Sequence, residues 1–477
     1  MIMNESGFFW LSNIKEGELA VPGQLTIDEK GIIELELHQS FASRVGEEAI
    51  FGGAKIDKEI SILGVLKKSE KYINLKSIRT NGAQIGHISY EKFVAEICLI
   101  SNKEVNTKKF KAIRIPLNNL NDWSHPGTFE HLRNTELSSA INMNLKEDNS
   151  WVLDEGTLRL VNHLEGKIPN PQTAKLDISI TSHFNFERIQ STEINDLLDV
   201  YHGLQDLLMI LINDQASVGW PLLYWEDNEV LHTVECYFRR SHLTENAFKW
   251  IDVTVPFPRI REKFGAMVTT WFKKRKTLGP GINLYLSILR NKSTYAENVF
   301  VNMVWGLEAL DRRNDLNSDV VVKSKLEEKI QRISEIIKEN KILTSDDRRW
   351  LIKALSKDNE RSLAERLYDT FLHLNLGIEP KLLRVFCDSC AHLRNDLSHH
   401  GGERTPGEYD KFITKLIPHL HALSTLYLIV MLEILQIENK ELKKIIYYYP
   451  GCYKHRNALS SVGLIPDISP VPTLDIQ

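Results

Sequence analysis

The chain has 477 residues, 42% of them hydrophobic and 26% charged, with a net charge of −4 at pH 7. That length exceeds one compact domain and sets an expectation of two or three, and the nearly balanced charge excludes a protein that coats nucleic acid by bulk attraction, so a nucleic-acid role needs a local site. No charge-free apolar run of the ~20 residues of a membrane span is read, no basic-then-apolar leader opens the chain, and five cysteines are too few for a disulfide framework, so the expectation is a soluble cytoplasmic protein with reduced thiols and no membrane partner.

The first part reads as β structure. Gln24-Leu25-Thr26-Ile27 runs into an Asp28-Glu29-Lys30-Gly31 turn and then Ile32-Ile33-Glu34-Leu35-Glu36-Leu37, where apolar and acidic residues alternate from Ile33 onward. A period of two marks a strand with one buried face. Short apolar runs recur at 60–66, 72–75, 93–100, 110–115, 157–161 and 176–182, with Gly52-Gly53, Gly64, Asn81-Gly82 and Gly86 as breaks. Many short strands with regular breaks predict a sandwich-like or curved sheet.

Near residue 190 the period changes. Ile194, Leu197, Leu198, Tyr201, Leu204, Leu207, Leu208 and Leu211 form a helical stripe over 193–213. Val253-Thr254-Val255-Pro256-Phe257-Pro258 is expected to be extended, because proline biases the residue before it away from the helix. After Gly279-Pro280-Gly281 the spacing predicts helices almost throughout. One runs from a Ser293 or Thr294 cap to about Arg313, with Thr294-x-x-Glu297 as a capping box. Others cover 325–341, 346–356, 360–376 and 380–399, and a last long one covers 408–437. The end, 460–477, reads as an irregular arm. The expected fold class is therefore α+β: a β-rich N-terminal region (1–188), a mixed bridge (189–290), an all-α helical bundle (291–446) and a tail (447–477).

The segment richest in chemistry is Cys387-Asp388-Ser389-Cys390-Ala391-His392-Leu393-Arg394-Asn395-Asp396-Leu397-Ser398-His399-His400-Gly401-Gly402. Leu383, Phe386, Leu393 and Leu397 mark a helix with a buried stripe, and the glycine pair is a stop signal. Arg394, Asn395 and His399 then lie in its last turns. Asn395 and His399, four apart, share a face. Arg394 stands five before His399, about 140° round the axis, and its long side chain can still reach the same cleft. Arg offers a donor fork for a phosphate. His moves a proton near neutral pH, and Asn fixes a hydrogen bond to either. The set suits a phosphodiester attacked by its own 2′-hydroxyl, a nucleophile present in RNA and not in DNA. Arg394 would steady charge on the phosphoryl oxygens, and the chemistry would need no cofactor. Spacing alone also fits a capped helix end, where cations contribute ~0.3–1 kcal/mol each.

Arg394-Asn395-Asp396-Leu397-Ser398-His399 matches the R-N-x-x-x-H form of the motif of HEPN-domain ribonucleases, which the C-terminal region resembles. That family is a small helical bundle with the motif near the end of a late helix and one more long helix after it. Trp305-Gly306-Leu307-Glu308-Ala309-Leu310 resembles the family's early helix, and Glu308 is expected either to pair with Arg394 or to edge the apolar stripe. His400 fits a looser family spacing and is a second candidate beside His399.

The N-terminal part carries its own likeness. Phe9-Trp10-Leu11, Val21-Pro22-Gly23-Gln24-Leu25, Gly31-Ile32-Ile33, Ile62-Leu63-Gly64, Tyr72-Ile73-Asn74-Leu75 and Leu120-x-x-Trp123 come in the order of the ApeA N-terminal domain. Pro256-Phe257-Pro258, Trp271-Phe272 and Tyr285-Leu286 continue it. The resemblance to ApeA-type proteins spans about residues 7–440. It implies a bacterial antiphage, abortive-infection endoribonuclease that cleaves RNA, with tRNA the expected substrate. It implies a homodimer through the bundle, in whose composite cleft one His399 serves as base and its mate as acid. The β-rich region would be the sensor or restraint, released by a phage-derived trigger. The alternative is a non-catalytic HEPN-like protein that binds RNA or a nucleotide, or regulates.

Cys387-x-x-Cys390 and Cys452-x-x-His455 have half-site spacings for a structural zinc, although cysteines three apart on a helix also serve as small core residues. Lys273-Lys274-Arg275-Lys276, beside Trp271 and Phe272, is the densest basic run and a candidate RNA-backbone contact, or else a solvated helix end. The P-loop, dinucleotide-binding and H-E-x-x-H patterns do not occur.

Overall fold

A computed structural model describes residues 1–13, 20–41, 60–84, 90–105, 107–117, 120–133, 139–166, 178–240, 251, 253–291, 294–315, 320–340, 342–357, 361–405 and 407–466. The expected Gly52-Gly53 and Gly86 breaks, the Ser293 cap and most of the 460–477 arm lie outside the described residues. The chain divides into two compact units. One holds Met1–Asp206, Ala216–Trp250 and Pro256–Ala266; the other holds Leu207–Gln215, Ile251–Val255 and Met267–Gln477. The region read as a bridge is therefore shared between them.

In the first unit, β1 (Met3–Leu11), β2 (Val21–Ile27), β3 (Ile33–Leu37), β4 (Ile62–Leu66), β5 (Tyr72–Gln84) and β6 (Tyr90–Ser101) close into a barrel in the order β6-β3-β2-β1-β4-β5, with β5 paired back onto β6. The Ile33–Leu37 alternation has its physical meaning here: Ile33, Leu35 and Leu37 are buried and Glu34 and Glu36 exposed. Leu25, Ile27, Ile62, Phe93 and Ile100 fill the same interior at 0–1% exposure.

β7 (Lys109–Pro116) is followed by a separate two-stranded ribbon of β8 (Gly127–Arg133) and β9 (Ser139–Leu145). β10 (Asn149–Leu153), β11 (Gly156–Gly166), β12 (Ile178–Glu193), β13 (Leu222–Asp227) and β14 (Val230–Phe238) complete a sheet in the order β10-β11-β12-β7-β13-β14-β6. The sandwich-like expectation thus resolves into a closed barrel and a sheet that share β6. On one edge β6 pairs with β3 at Glu91–Ala95 and with β14 at Ile97–Ser101. An aromatic cluster of Trp123, Phe184, Phe257 and Phe264, with ring centroids 5.4–6.1 Å apart, packs beside the sheet.

Helix α1 (Ile194–Ile212) carries the stripe read at 193–213, and the division between units falls within it. The 253–258 expectation needs correction: Pro256 is extended at ψ 146°, but it caps a short helix, Phe257–Ile260, with proline in its first turn. The expected mixed bridge (189–290) contains α1, β13 and β14 and ends in two helices, α2 (Phe264–Thr277) and α3 (Gly279–Arg290). Pro280 lies in the first turn of α3, where its missing N–H costs nothing, so Gly279-Pro280-Gly281 opens a helix.

The remaining helices are α4 (Ala296–Asp315), α5 (Val320–Glu339), α6 (Ser345–Lys357), α7 (Leu363–His373), α8 (Pro380–His400), α9 (Tyr409–Ile434), α10 (Asn439–Tyr447) and α11 (Cys452–Ser460). The last of these, α11, places helical structure in the region read as a tail. The Thr294/Glu297 capping box does not form: the Thr294 hydroxyl donates to the Asn291 carbonyl, and Glu297 accepts from the Tyr409 hydroxyl. The capping box is at Ser362 and Glu365, opening α7.

By length and composition α9 is apolar enough to cross a membrane, which the reading of the sequence missed. Its Leu423, Leu426, Tyr427, Ile429, Met431 and Leu432 are fully buried among protein, the place of a core helix. Helices α3, α7 and α8 pack on α4, and α4 packs on α9. The approach of α4 to α9 is close at Gly306. A Cβ there would stand 2.0 Å from the Tyr427 hydroxyl oxygen, and that hydroxyl donates to the Gly281 carbonyl of α3 at 2.6 Å.

A second tie is ionic. Asp311 of α4 accepts from Arg366 of α7 at 2.8 Å and from Arg361 at 3.1 Å, with the Asp311 and Arg366 side chains 10% and 8% exposed. Asp311→Ala leaves a buried guanidinium without its carboxylate, and a loss of ~3–5 kcal/mol is expected in chemical denaturation. A loss below ~1 kcal/mol would mean that water reaches the pair.

Candidate active site

Helix α8 presents the motif because its apolar stripe is anchored and its end is fixed. Leu383, Phe386, Cys387, Cys390 and Leu393 are buried. Gly401 ends the helix at φ +74°, and its N–H donates to the Leu397 carbonyl at 3.2 Å. A side chain is strained in that conformation, so glycine is the residue that stops α8 here. Asp396 accepts from Arg404 Nε at 2.6 Å and so ties the segment after the glycines back to the helix.

Arg394 is one-quarter exposed and held on two sides. Its Nη1 donates to Asn395 Oδ1 at 3.1 Å, and its Nη2 stands 3.6 Å from Glu308 Oε2 on α4. Of the two expectations for Glu308, the pair across the bundle is the one found. Arg394 Nε is buried without a partner among the described residues. Glu308 also takes Arg312 Nε and Nη2 on its other oxygen, at 3.1 and 3.0 Å. One carboxylate thus faces two guanidinium groups, and the cluster carries net positive charge. Asn395, His399 and His400 are exposed at the helix end. The arrangement offers a fixed donor fork for a phosphate, with the His399 and His400 imidazoles five and six residues further along the helix.

The sequence reading assigned Arg312 no place in this cluster. Its signal was available: Glu308 and Arg312 are four apart, the spacing of a helical ion pair.

The other candidates do not join the cluster. Lys273, Lys274, Arg275 and Lys276 lie on α2, three of them in its last turn, where cations suit the helix C-terminus. Lys273, Lys274 and Lys276 are exposed, and Arg275 lies 5.9 Å from the Phe272 ring. The two zinc half-sites are not brought together. Among the described residues no three His, Cys, Asp or Glu side chains gather to hold a metal ion. Cys387 and Cys390 are wholly buried in α8, and that burial pushes both thiols well above their ordinary pKa. Cys452 is buried on α11. His455 is pushed down to about 4 by burial, with Nδ1 3.3 Å from the Thr425 hydroxyl. The three cysteines pack as core residues, and His455 is half-buried.

A family model, ApeA N-terminal domain 1, matches residues 4–271, more than half of the chain. A second, Apea-like HEPN, matches residues 301–441 and so contains Glu308, Arg312, Arg394, Asn395 and His399. No curated protein and no solved structure matches the chain. An N-terminal ApeA domain followed by an Apea-like HEPN domain makes this chain a member of the ApeA-type family of antiphage HEPN nucleases.

Proposed function

We propose that the chain is a metal-independent endoribonuclease that cleaves RNA, with tRNA as substrate, as a homodimer in the bacterial cytoplasm. The observation that carries this reading is the Arg394 guanidinium, held by Asn395 and Glu308 at the end of α8, five residues before the exposed His399. His399 takes the proton of a ribose 2′-hydroxyl. The 2′-oxygen attacks the adjacent phosphorus, the P–O5′ bond breaks, and the 5′-oxygen takes a proton from the His399 of a second copy. The products are a 2′,3′-cyclic phosphate and a 5′-hydroxyl. Arg394 steadies the charge on the phosphoryl oxygens, which is largest in the transition state. The nucleophile belongs to the substrate and the proton carrier to the protein, so the balance closes without a metal-bound water. The N-terminal unit restrains the nuclease until a phage-derived trigger arrives.

The test is His399→Ala. RNA cleavage is expected to fall by ~10²–10⁴-fold, the usual worth of general acid–base catalysis, while the far-ultraviolet circular dichroism stays unchanged and infected cells lose protection. Full activity in a folded His399→Ala variant overturns the assignment. Products ending in a 3′-hydroxyl would instead indicate metal-assisted hydrolysis.

A further inference from the structure

We infer that the cleft between α3, α4 and α8 holds one unstacked nucleobase of the RNA strand, next to the phosphate taken by Arg394. The inference deepens the ribonuclease reading and rests on it for the identity of the strand.

The cleft has a volume of about 680 Å³, within the range of small-molecule sites. Its α4 wall carries Asn298, Asn302 and Trp305, at helical positions i, i+4 and i+7, which lie along one face. Trp305 is 47% exposed. An indole left open to solvent inside a cleft, rather than in the core, is a stacking platform, and every base has a π-face to offer it. The two amides supply both donors and acceptors for base edges, which an unstacked single strand presents.

The position relative to Arg394 follows from helix geometry. On α4, Trp305 precedes Glu308 by three residues. On α8, the cleft is lined by Leu397 and Ser398, three and four residues after Arg394. Cleft and guanidinium therefore lie along the same two helix faces, about one turn, ~5.4 Å, apart. A single nucleotide spans that distance between its phosphate and its base.

The charge of the described lining favours a base over a phosphate. Among the described residues no Lys or Arg lines the cleft, whereas Glu297 does, its carboxylate accepting from the Tyr409 hydroxyl. A carboxylate repels a phosphate and accepts from the amino and imino groups of a base. The cationic groups stand at Arg394 and Arg312, where a backbone phosphate would lie.

The experiment uses the full chain and single-stranded RNA oligonucleotides of defined sequence. Trp305→Ala is expected to raise KM by about tenfold or more with a smaller change in kcat, a factor set by the usual loss on removing one base-stacking aromatic. Trp305→Phe restores most of it, because Phe also stacks, and Asn302→Ala shifts the preferred base at the cut. Melting curves of the variants check that they fold. Binding is read separately in the nuclease-silent His399→Ala chain, by RNA quenching of tryptophan fluorescence that disappears in His399→Ala/Trp305→Phe. Cleavage by wild type with unchanged KM and base preference in Trp305→Ala overturns the inference and leaves the ribonuclease reading standing. Trp305-dependent quenching without any cleavage by wild type overturns the ribonuclease reading and keeps the base site. Neither cleavage nor quenching overturns both.

Discussion

Arg394→Ala is expected to lower kcat for RNA cleavage by ~10²–10³-fold, the cost of removing a donor aimed at transition-state charge. Binding should weaken far less, since other contacts also hold the strand. Arg394→Lys should recover little. Lysine brings a point charge on a flexible stem, and the planar fork that Asn395 and Glu308 now orient would be gone. Glu308→Gln separates orientation from charge. It keeps a side chain of the same shape between Arg394 and Arg312 but removes the carboxylate that both guanidinium groups face. A folded protein with an intermediate rate is expected. Single-turnover cleavage beside equilibrium RNA binding provides the measurement. An Arg394→Ala variant that keeps a third of the wild-type kcat would remove Arg394 from the mechanism.

The second large effect is on stability. Gly306→Ala should cost ~2–5 kcal/mol, combining overpacking with the loss of a buried hydrogen bond. The added Cβ would lie 2.0 Å from the Tyr427 oxygen. Tyr427 is fully buried, and burial keeps its phenol protonated well above the ordinary range. Moving it aside would strand the Gly281 carbonyl that it now satisfies. Gly306→Ala in a Tyr427→Phe background removes the clashing oxygen, so the double variant should lose less than the two single losses added. Thermal melting of the four chains supplies the cycle. A Gly306→Ala chain that melts with the wild type would show that α4 and α9 can separate at no cost. The consequence reaches the site, because Trp305 and Glu308 flank Gly306 on α4.

What the sequence made legible was whatever a short window can encode. The Ile33–Leu37 alternation fixed which faces are buried, and the apolar stripe with its Gly401 stop fixed α8 and the place of Arg394 at its end. Neighbours were not legible, because a period of two sets faces and leaves pairing open. Closure of the barrel through β5 and β6 is a long-range choice of this kind. The β13–β14 hairpin hid for another reason: its two turn residues, Asn228 and Glu229, both adopt positive φ, and glutamate there gives no turn signal. The pairing of Glu308 with Arg394 came into view only through family resemblance, since no local spacing links residues on separate helices. The two cysteine-containing pairs stay apart among the described residues, and spacing within a helix says nothing about which helices meet.

The shared strand has a consequence for how the N-terminal unit fails. One edge of β6 completes the barrel with its first half and the sheet with its second. A slip of one residue along it would turn Phe93, Cys98 and Ile100 out of the barrel interior and break the ladder to β14 in the same step. Barrel and sheet are therefore coupled through one strand, and a register error in β6 disturbs both.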